Sequence, residues 1–446
     1  MAIPDRPPDW NATLATLGAK GPDGLGRLFA RGVRSDVDGA YLHWDDLRRR
    51  KPPEGLSREE WWAALRIARV SASADLPLRD AQQRPFSFVR ADALFRALHP
   101  VDRALGNQQL VEDPSGLNAA NKERFIARSL VEEAISSSLL EGAATTRKIA
   151  EAMLREGRQP RTNDERMILN NHRAMQLVRR SRKEPLTPEL LLELQRTLTV
   201  GTLPPDEVGR FRRDDETVRV EDHATGEGLH LPPPAKELPK RIEALCAFAN
   251  ADDTKDFVHP VVRAIALHFM LGYDHPFVDG NGRTARAVFY WSMLRNGYWM
   301  AEFLSISTVI YRARAQYGRA FLLTETDGGD LTYFLLHQLD VLKRATDELL
   351  RYVAQKSKEV QDVDAILREA GDLNLRQRGL LAHAIRHPGA TYRIDAHQKE
   401  YGVVYQTART DLLDLEARGL LASRKVGRAL VFQPTPSMER RLRRAR

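Results

Sequence analysis

The sequence predicts a mainly α-helical protein in which one β-hairpin interrupts a helical core and a small mixed module of helices and strands closes the chain. Three observations predict it. Apolar residues recur at helical spacing through most of 118–356, an alternation of period two breaks in around Val218 and Val220, and past Ala370 three short helical patterns run into two β-like pieces. At 446 residues the chain exceeds one ordinary core, so two or three domains are expected. Its 42% hydrophobic and 29% charged residues describe a globular rather than a disordered chain. No apolar run reaches membrane-spanning length, and the opening "MAIPDRPPDW" lacks the basic-then-apolar build of a secretory signal, so no membrane partner is expected. Cys246 is the single cysteine, which excludes an intrachain disulfide or thiolate zinc cluster and fits a reducing, cytoplasmic setting. The net charge of +8 favours a polyanionic partner such as nucleic acid or nucleotide.

Residues 1–105 mix breaks such as "AKGPDGLG" and "RRKPPEGLS" with aromatic pieces, "YLHW" and "EEWWAALRIAR", and are expected to form an accessory region of short helices. In "RFIARSLVEEAISSSLLEG", Phe125, Ser129, Ile135 and Leu139 fall at helical spacings. "LTPELLLELQRTL" starts with Thr187 as N-cap and Pro188 at the first helical position. "GRFRRDDETVRVEDHATGEGLHLPPP" reads as a hairpin over about 214–232, with a Gly-rich turn at 225–228 and a proline stop; a lone hairpin is unstable, so it must lie against the helices. Two apolar helical stretches, "HPVVRAIALHFMLGY" and "ARAVFYWSMLRNGYW", flank the segment "HPFVDGNGRTAR" at 275–286. Helical patterns continue through "RARAQYGRAFLLTE" and "DLTYFLLHQLDVLKRATDELLRYVAQK".

A turn needs only the "DGNG" of "HPFVDGNGRTAR"; the rest carries chemistry. Gly280 and Gly282 strip side chains from a loop that opens a helix, so backbone N–H groups and the positive end of the helix dipole can face an anion. Arg283 and Arg286, three apart, both fall near the first turn and suit phosphate oxygens. Asp279 suits Mg²⁺, which commonly takes one or two carboxylates plus the substrate's phosphates. Asn281 adds a neutral donor and acceptor, and His275 has the pKa for general base work near neutrality. These parts describe phosphoryl or nucleotidyl transfer; neither a P-loop nor a dinucleotide fingerprint is present. The plainer reading, a Gly-rich connection with surface arginines, accounts for "DGNG" but not for the whole set.

The segment resembles the signature H-x-F-x-[DE]-G-N-G-R-x-x-R of the Fic (Fido) family at every specified position. The resemblance runs over roughly 118–356: "LTPELLLELQRTL" is similar to the helix before the family's hairpin flap, although Gln195 stands where a histidine is common, and "VGRFRR" with "LHLPPPAKELPKRIEAL" is similar to the flap's flanks. It implies a domain over about 106–356 that transfers AMP from ATP, with Mg²⁺, to a hydroxyl of a target protein or of the chain itself. His275 would take the hydroxyl proton and Asp279 would hold Mg²⁺. Gly280, Asn281 and Gly282 would form the anion hole, Arg283 and Arg286 would grip the β/γ end, and the flap would hold the target as an added strand. Tyr317 is read either as a ring on the adenine or as a core tyrosine. "SSLLEG", Ser137 to Gly142, resembles the family's inhibitory motif [ST]-x-x-x-E-[GN] at the end of a helix over about 125–142. It implies that Glu141 occupies Arg286 and denies it to the γ-phosphate; removal of AMP and a donor other than ATP stay open.

Residues 370–436 carry "QTARTDLLDLEARGLL", which resembles the second helix of a winged helix-turn-helix, with Ala408, Leu412 and Leu415 inward. Tyr405, Gln406 and Arg409 would then face a DNA groove, and Arg424, Lys425 and Arg428 would flank the wing and meet phosphates. Val404 stands where a Ser or Thr cap is common, and Asp411, Asp414 and Glu416 dilute the positive charge. DNA binding therefore stands beside protein docking or a homodimer for this module, and the second function class is a DNA-binding regulator whose core binds nucleotide without turnover. The tail 437–446 concentrates five arginines against one glutamate.

Overall fold

The computed structural model describes all residues except 1, 20–25, 27, 30–33, 107–118, 222–225, 227, 253–256, 370–371, 427–428 and 445–446. The chain divides into two compact units, one from residues 1–113 and 117–349 and one from residues 350–446. The first unit begins with α1 (Trp10–Ala19), α2 (Trp44–Leu47) and α3 (Arg58–Ser71). A hairpin of β1 (Ser73–Arg79) and β2 (Pro85–Val89) follows, then α4 (Asp92–Gly106), α5 (Ala119–Leu140), α6 (Arg147–Glu156), α7 (Asn163–Ser181) and α8 (Pro188–Thr199). A second hairpin, β3 (Val220–Glu221) and β4 (Gly228–His230), precedes α9 (Leu238–Ala249), α10 (Pro260–Asp274) and α11 (Asn281–Arg295). α12 (Ile306–Arg312), α13 (Arg314–Thr326) and the first half of α14 (Thr332–Glu369) complete it.

The protein is mainly helical, with small sheets. α10 and α11 lie against each other at the centre and are buried along almost their whole length, polar residues such as His268, Arg283 and Arg286 included. α7 and α8 pack on α11, and α5 packs on α7, so the turn between α10 and α11 is held from both sides. α8 begins as its sequence requires: Pro188 takes the first turn and the Thr187 hydroxyl accepts the Leu190 N–H at 3.2 Å.

One expectation changes. The region before residue 106 contains the antiparallel β1–β2 hairpin as well as short helices. Leu76, Leu78, Phe86 and Phe88 alternate into the core there, a period-two signal hidden by Pro77 and Pro85. Among the described residues, the second hairpin pairs Val220 with His230 and Glu221 with Gly228, within the expected 214–232; most of its Gly-rich turn lies outside the described residues. The His230 ring fixes this hairpin to the helices, with Nδ1 at 2.7 Å from Glu325 Oε2 and Nε2 at 2.7 Å from the Tyr273 carbonyl. Among the described residues, no helix is long and apolar enough to cross a membrane.

Buried polar groups tie the N-terminal elements into the same unit. Arg69, fully buried on α3, donates to the carbonyls of Ser35 at 3.0 Å and Leu42 at 2.8 Å and to the Tyr333 hydroxyl at 2.9 Å. The Tyr41 hydroxyl donates to Asp330 and that of Tyr333 to Asp327.

The second unit holds the later turns of α14, then α15 (Leu375–Arg386), β5 (Tyr392–Arg393), α16 (Ile394–Tyr401), α17 (Tyr405–Ala417), β6 (Leu421–Val426), β7 (Ala429–Pro434) and α18 (Met438–Arg444). Its sheet is antiparallel in the order β5-β7-β6. Leu381, Leu412, Leu415 and Phe432 centre its core.

Candidate active site

The loop between α10 and α11 begins at a strained residue. His275 caps α10 in the left-handed region at φ 45°, which costs a residue with a Cβ about 1–2 kcal/mol. Its surroundings hold it there. Arg212 donates from Nε to the His275 carbonyl at 2.8 Å and from its backbone N–H to the Pro276 carbonyl at 2.9 Å. Phe277 is buried and stacks on Phe211, with ring centroids 5.4 Å apart. The Asn281 amide closes the turn, Oδ1 accepting the Phe277 N–H at 2.9 Å and Nδ2 donating to the Phe277 carbonyl at 2.8 Å. That side chain therefore braces the loop.

The imidazole of His275 is oriented by its backbone. Nδ1 lies 3.2 Å from the Gly272 carbonyl, and since a carbonyl only accepts, Nδ1 carries the proton and Nε2 keeps its lone pair. Burial first, then the nearby charges of His230 and Arg212, lower the His275 pKa, against the opposing pull of Gly272 and Glu141. The neutral ring is thus the resident form at pH 7. A group depressed in the folded state contributes stability above its unfolded pKa that is lost as pH falls through the folded one. Any activity that uses Nε2 as a base should accordingly keep its acid limb below pH ~6.5, the ordinary histidine value. A pH–rate profile breaking at or above that value would contradict this placement.

Arg286 sits behind the loop, fully buried. It donates from Nη2 to Glu141 Oε1 at 2.9 Å and to the Ser137 hydroxyl at 2.8 Å, and from Nε to that hydroxyl at 2.9 Å. Burial opposes its charge, yet Glu141 facing it holds its pKa above the ordinary value. Glu141 is the first residue past the end of α5, and Gly142 turns the chain at φ 97°. A Cβ at Gly282 would meet Glu141 Oε1 at 2.3 Å, so with that carboxylate seated here the position is open only to glycine. The carboxylate of Glu141 therefore lies on the first turn of α11, where backbone N–H groups have no helical partner. Nη1 of Arg286 is buried with no hydrogen-bond partner among the described residues.

Asp279 and Arg283 form a pair at the mouth. Arg283 donates to Asp279 Oδ2 at 3.0 Å and to the Leu198 carbonyl at 3.1 Å, and its Nε is buried without a partner among the described residues. Asp279 Oδ1 accepts the Gly280 N–H at 2.6 Å, and the carboxylate is 46% exposed. Gly280 stands at φ 87° as the N-cap of α11. Tyr317 is half-buried; its hydroxyl lies 2.9 Å from His268 Nε2, and its ring meets Phe321 edge-on, so it joins the aromatic core while keeping an accessible rim.

The geometry brings His275, Asp279, Gly280, Gly282, Arg283, Arg286 and the Ser137–Glu141 pair around one turn. Residues 185–293 match the Fic/DOC family. The stretch covers α8, the flap and the turn. "Protein adenylyltransferase Fic" of Drosophila persimilis is 30% identical over 189 residues, 42% of this chain and 35% of that protein. The protein of the same name from Drosophila sechellia is 29% identical over 206 residues, 46% of this chain and 39% of its own. The chain therefore spans little more than a third of these curated relatives. A crystal structure of a Fic family protein from Desulfovibrio desulfuricans G20 shares the fold, with a TM-score of 0.52 at 19% identity, covering 78% of this chain and 98% of that one.

Outside the Fic/DOC signature, three supports escaped the sequence reading. Glu133, buried on α5, accepts from the Ser305 hydroxyl at 2.9 Å and the Ser307 N–H at 3.1 Å, pinning that helix to the start of α12. Its signal was present: Glu133, Ser137 and Glu141 recur every four residues on one helical stripe. Arg212 and the pair Arg241–Asp274, 2.6 Å apart, carry no local pattern that sets them apart from surface charges.

Proposed function

We propose that the protein is an autoinhibited nucleotidyltransferase that moves AMP from ATP to a hydroxyl of a target protein or of itself. The observation that carries the reading is the seat of Glu141: an acidic side chain fills the helix N-terminus and engages the buried Arg286, the position an anionic substrate needs. Arg283 and Arg286 each retain a buried N–H without a partner among the described residues, as a site waiting for more acceptors would. In the transfer, the target oxygen attacks the α-phosphorus as its proton passes to Nε2 of His275. The bond from the α-phosphorus to the bridging oxygen breaks, and pyrophosphate leaves with that electron pair. Gly282 would offer its backbone N–H to the phosphates, Gly280 would do so once Asp279 Oδ1 releases its N–H, and the fixed donors would act by position and charge. The flap would hold the target backbone as an added strand.

A single exposed carboxylate suits Mg²⁺, which relies on substrate phosphates and water for its remaining ligands. Asp279 would hold it, after exchanging the Arg283 contact, and the ion would neutralise phosphate charge. Intact-mass spectrometry of wild type and Glu141→Gly, each incubated with ATP and Mg²⁺, tests the proposal. The variant should acquire AMP on itself or on an added lysate protein while wild type acquires little. Equal modification of both would remove the brake, and none in either would remove the transfer.

A second reading concerns residues 370–436, proposed as a winged helix-turn-helix that binds DNA. The acidic residues that seemed to spoil its face are spent internally. Asp411 is buried and accepts from Arg376 at 2.7 Å and Asn374 at 2.8 Å, Asp414 accepts from Gln377 at 2.7 Å and Arg418 at 2.9 Å, and Glu416 accepts the Ser423 N–H at 2.9 Å. Tyr405, Gln406, Arg409, Arg424 and Lys425 are exposed; Arg428 lies outside the described residues. Val404 caps α17 without a side-chain hydrogen bond. Binding of the full chain to a random-sequence duplex should weaken with salt, and Arg409→Ala/Arg424→Ala/Lys425→Ala should flatten the log–log slope by up to about 3. An unchanged slope would point to protein docking instead.

A further inference from the structure

We infer that Gln195 is a positioning residue that locks the mouth of the phosphate-facing loop to the start of the flap. Gln195 is fully buried on α8. Its Oε1 accepts the Gly209 N–H at 2.5 Å, and its Nε2 donates to the Asp279 carbonyl at 3.3 Å. One amide thus joins two segments 70 residues apart in sequence, one leading into the flap and one carrying the proposed metal ligand.

The chemistry of the two ends dictates the residue. A backbone N–H demands an acceptor and a carbonyl demands a donor, and a primary amide offers both from one planar group. A carboxylate would keep the first bond and turn a lone pair toward the Asp279 carbonyl. An aliphatic side chain would leave both partly buried backbone groups without this partner. The packing is equally particular. Gly280 stands at φ 87°, and a Cβ there would meet Thr199 Cγ2 at 3.0 Å and Gln195 Cγ at 4.0 Å. Gly209 stands at φ 72°, and a Cβ there would meet the Arg196 guanidinium, 2.6 Å to Nε. A left-handed glycine thus stands at one end of the bridge, Gly209, and directly after the other, Gly280, both against α8, and Thr199 Oγ1 donates a 2.8 Å bond to the Gln195 carbonyl. α8 works as a spacer between the flap and the loop, with Gln195 as its contact at both.

This inference deepens the transfer reading, so its test separates the two. Full-length Gln195→Leu and Gln195→Glu, each in the Glu141→Gly background, are compared by hydrogen–deuterium exchange and by steady-state labelling with α-labelled ATP. In Gln195→Leu, the peptide covering 205–213 should exchange about tenfold faster at the Gly209 amide, and the peptide covering 276–283 should exchange faster because the loop around the freed Asp279 carbonyl loosens, with α10 and α9 unchanged. In Gln195→Glu, protection should return at 205–213 and stay lost at 276–283. Labelling in both should show a raised KM for ATP, with kcat falling less. Exchange unchanged in Gln195→Leu, or identical patterns in the two variants, would overturn the positioning role. Uniform loss of protection through α9 and α10 would do so too, by showing a merely structural one. If the parent Glu141→Gly protein labels nothing, the transfer reading fails and the exchange pattern still decides this one.

Discussion

Replacing His275 by asparagine in the Glu141→Gly protein should cut AMP transfer by about 10²–10⁴-fold while leaving nucleotide binding in place. The proton of the attacking hydroxyl needs an acceptor, and the hydrogen bond from Nδ1 to the Gly272 carbonyl leaves Nε2 as that acceptor. Asparagine is the informative substitution because it tolerates the left-handed backbone at this position better than alanine does, so a lost fold does not mimic lost chemistry. It also lacks any group that takes a proton near neutrality. Removing Glu141 at the same time removes the nearest other carboxylate on Arg286. Calorimetric titration with ATP and Mg²⁺ beside the labelling assay separates binding from turnover. Activity within tenfold of the parent would show that another group, or water, takes the proton.

The largest effect on stability should come from Arg69→Met, about 3–5 kcal/mol on unfolding of the first unit. Methionine keeps the length and apolar stem, so the loss measures the charge and its hydrogen bonds. Without the guanidinium, the carbonyls of Ser35 and Leu42 lose their donor, and the Asp327 and Asp330 carboxylates lose a buried positive neighbour. Burial already pushes Asp327 up to about 6, so it is the group that would take up a proton in compensation. A carboxyl raised in the folded state contributes stability below its unfolded pKa that disappears as pH rises through the folded one. The penalty of Arg69→Met should therefore be smaller at pH 5 than at pH 8, read as the urea midpoint at each. A penalty below about 1 kcal/mol at pH 8, or one that grows on acidification, would mean that Arg66, 3.3 Å from Asp327, suffices alone.

What the sequence made legible was local. The turn at 275–286 packs its glycines, acid, base and arginines into twelve consecutive residues, and "SSLLEG" places its serine and glutamate one helical turn apart, so spacing alone exposes them. Thr187 and Pro188 announce a helix start in the same contiguous way. The remainder depends on contacts that no window contains. Gln195 meets Asp279 across 84 positions, and Arg69 meets Tyr333 across 264. Asn281 looked like a ligand donor because its amide chemistry is right; only the folded turn shows that amide turned inward on Phe277. The β1–β2 hairpin is hidden in the sequence because two prolines break its alternation, and Asp411 reads as diluting positive charge because its partners lie on other helices.

Under the proposed inhibition, the anchoring of Glu133 limits how Glu141 can be released. With that carboxylate clasped by Ser305 and Ser307, the body of α5 is bolted down seven residues before its end, whereas Glu141 lies past that end, where Gly142 turns the chain. Activation by hauling the whole rod outward would break the clasp first. A trigger that merely swings one carboxylate aside, such as a rotamer change or a local fraying after Ser138, leaves the rivet intact and is reversible on the timescale of side-chain motion.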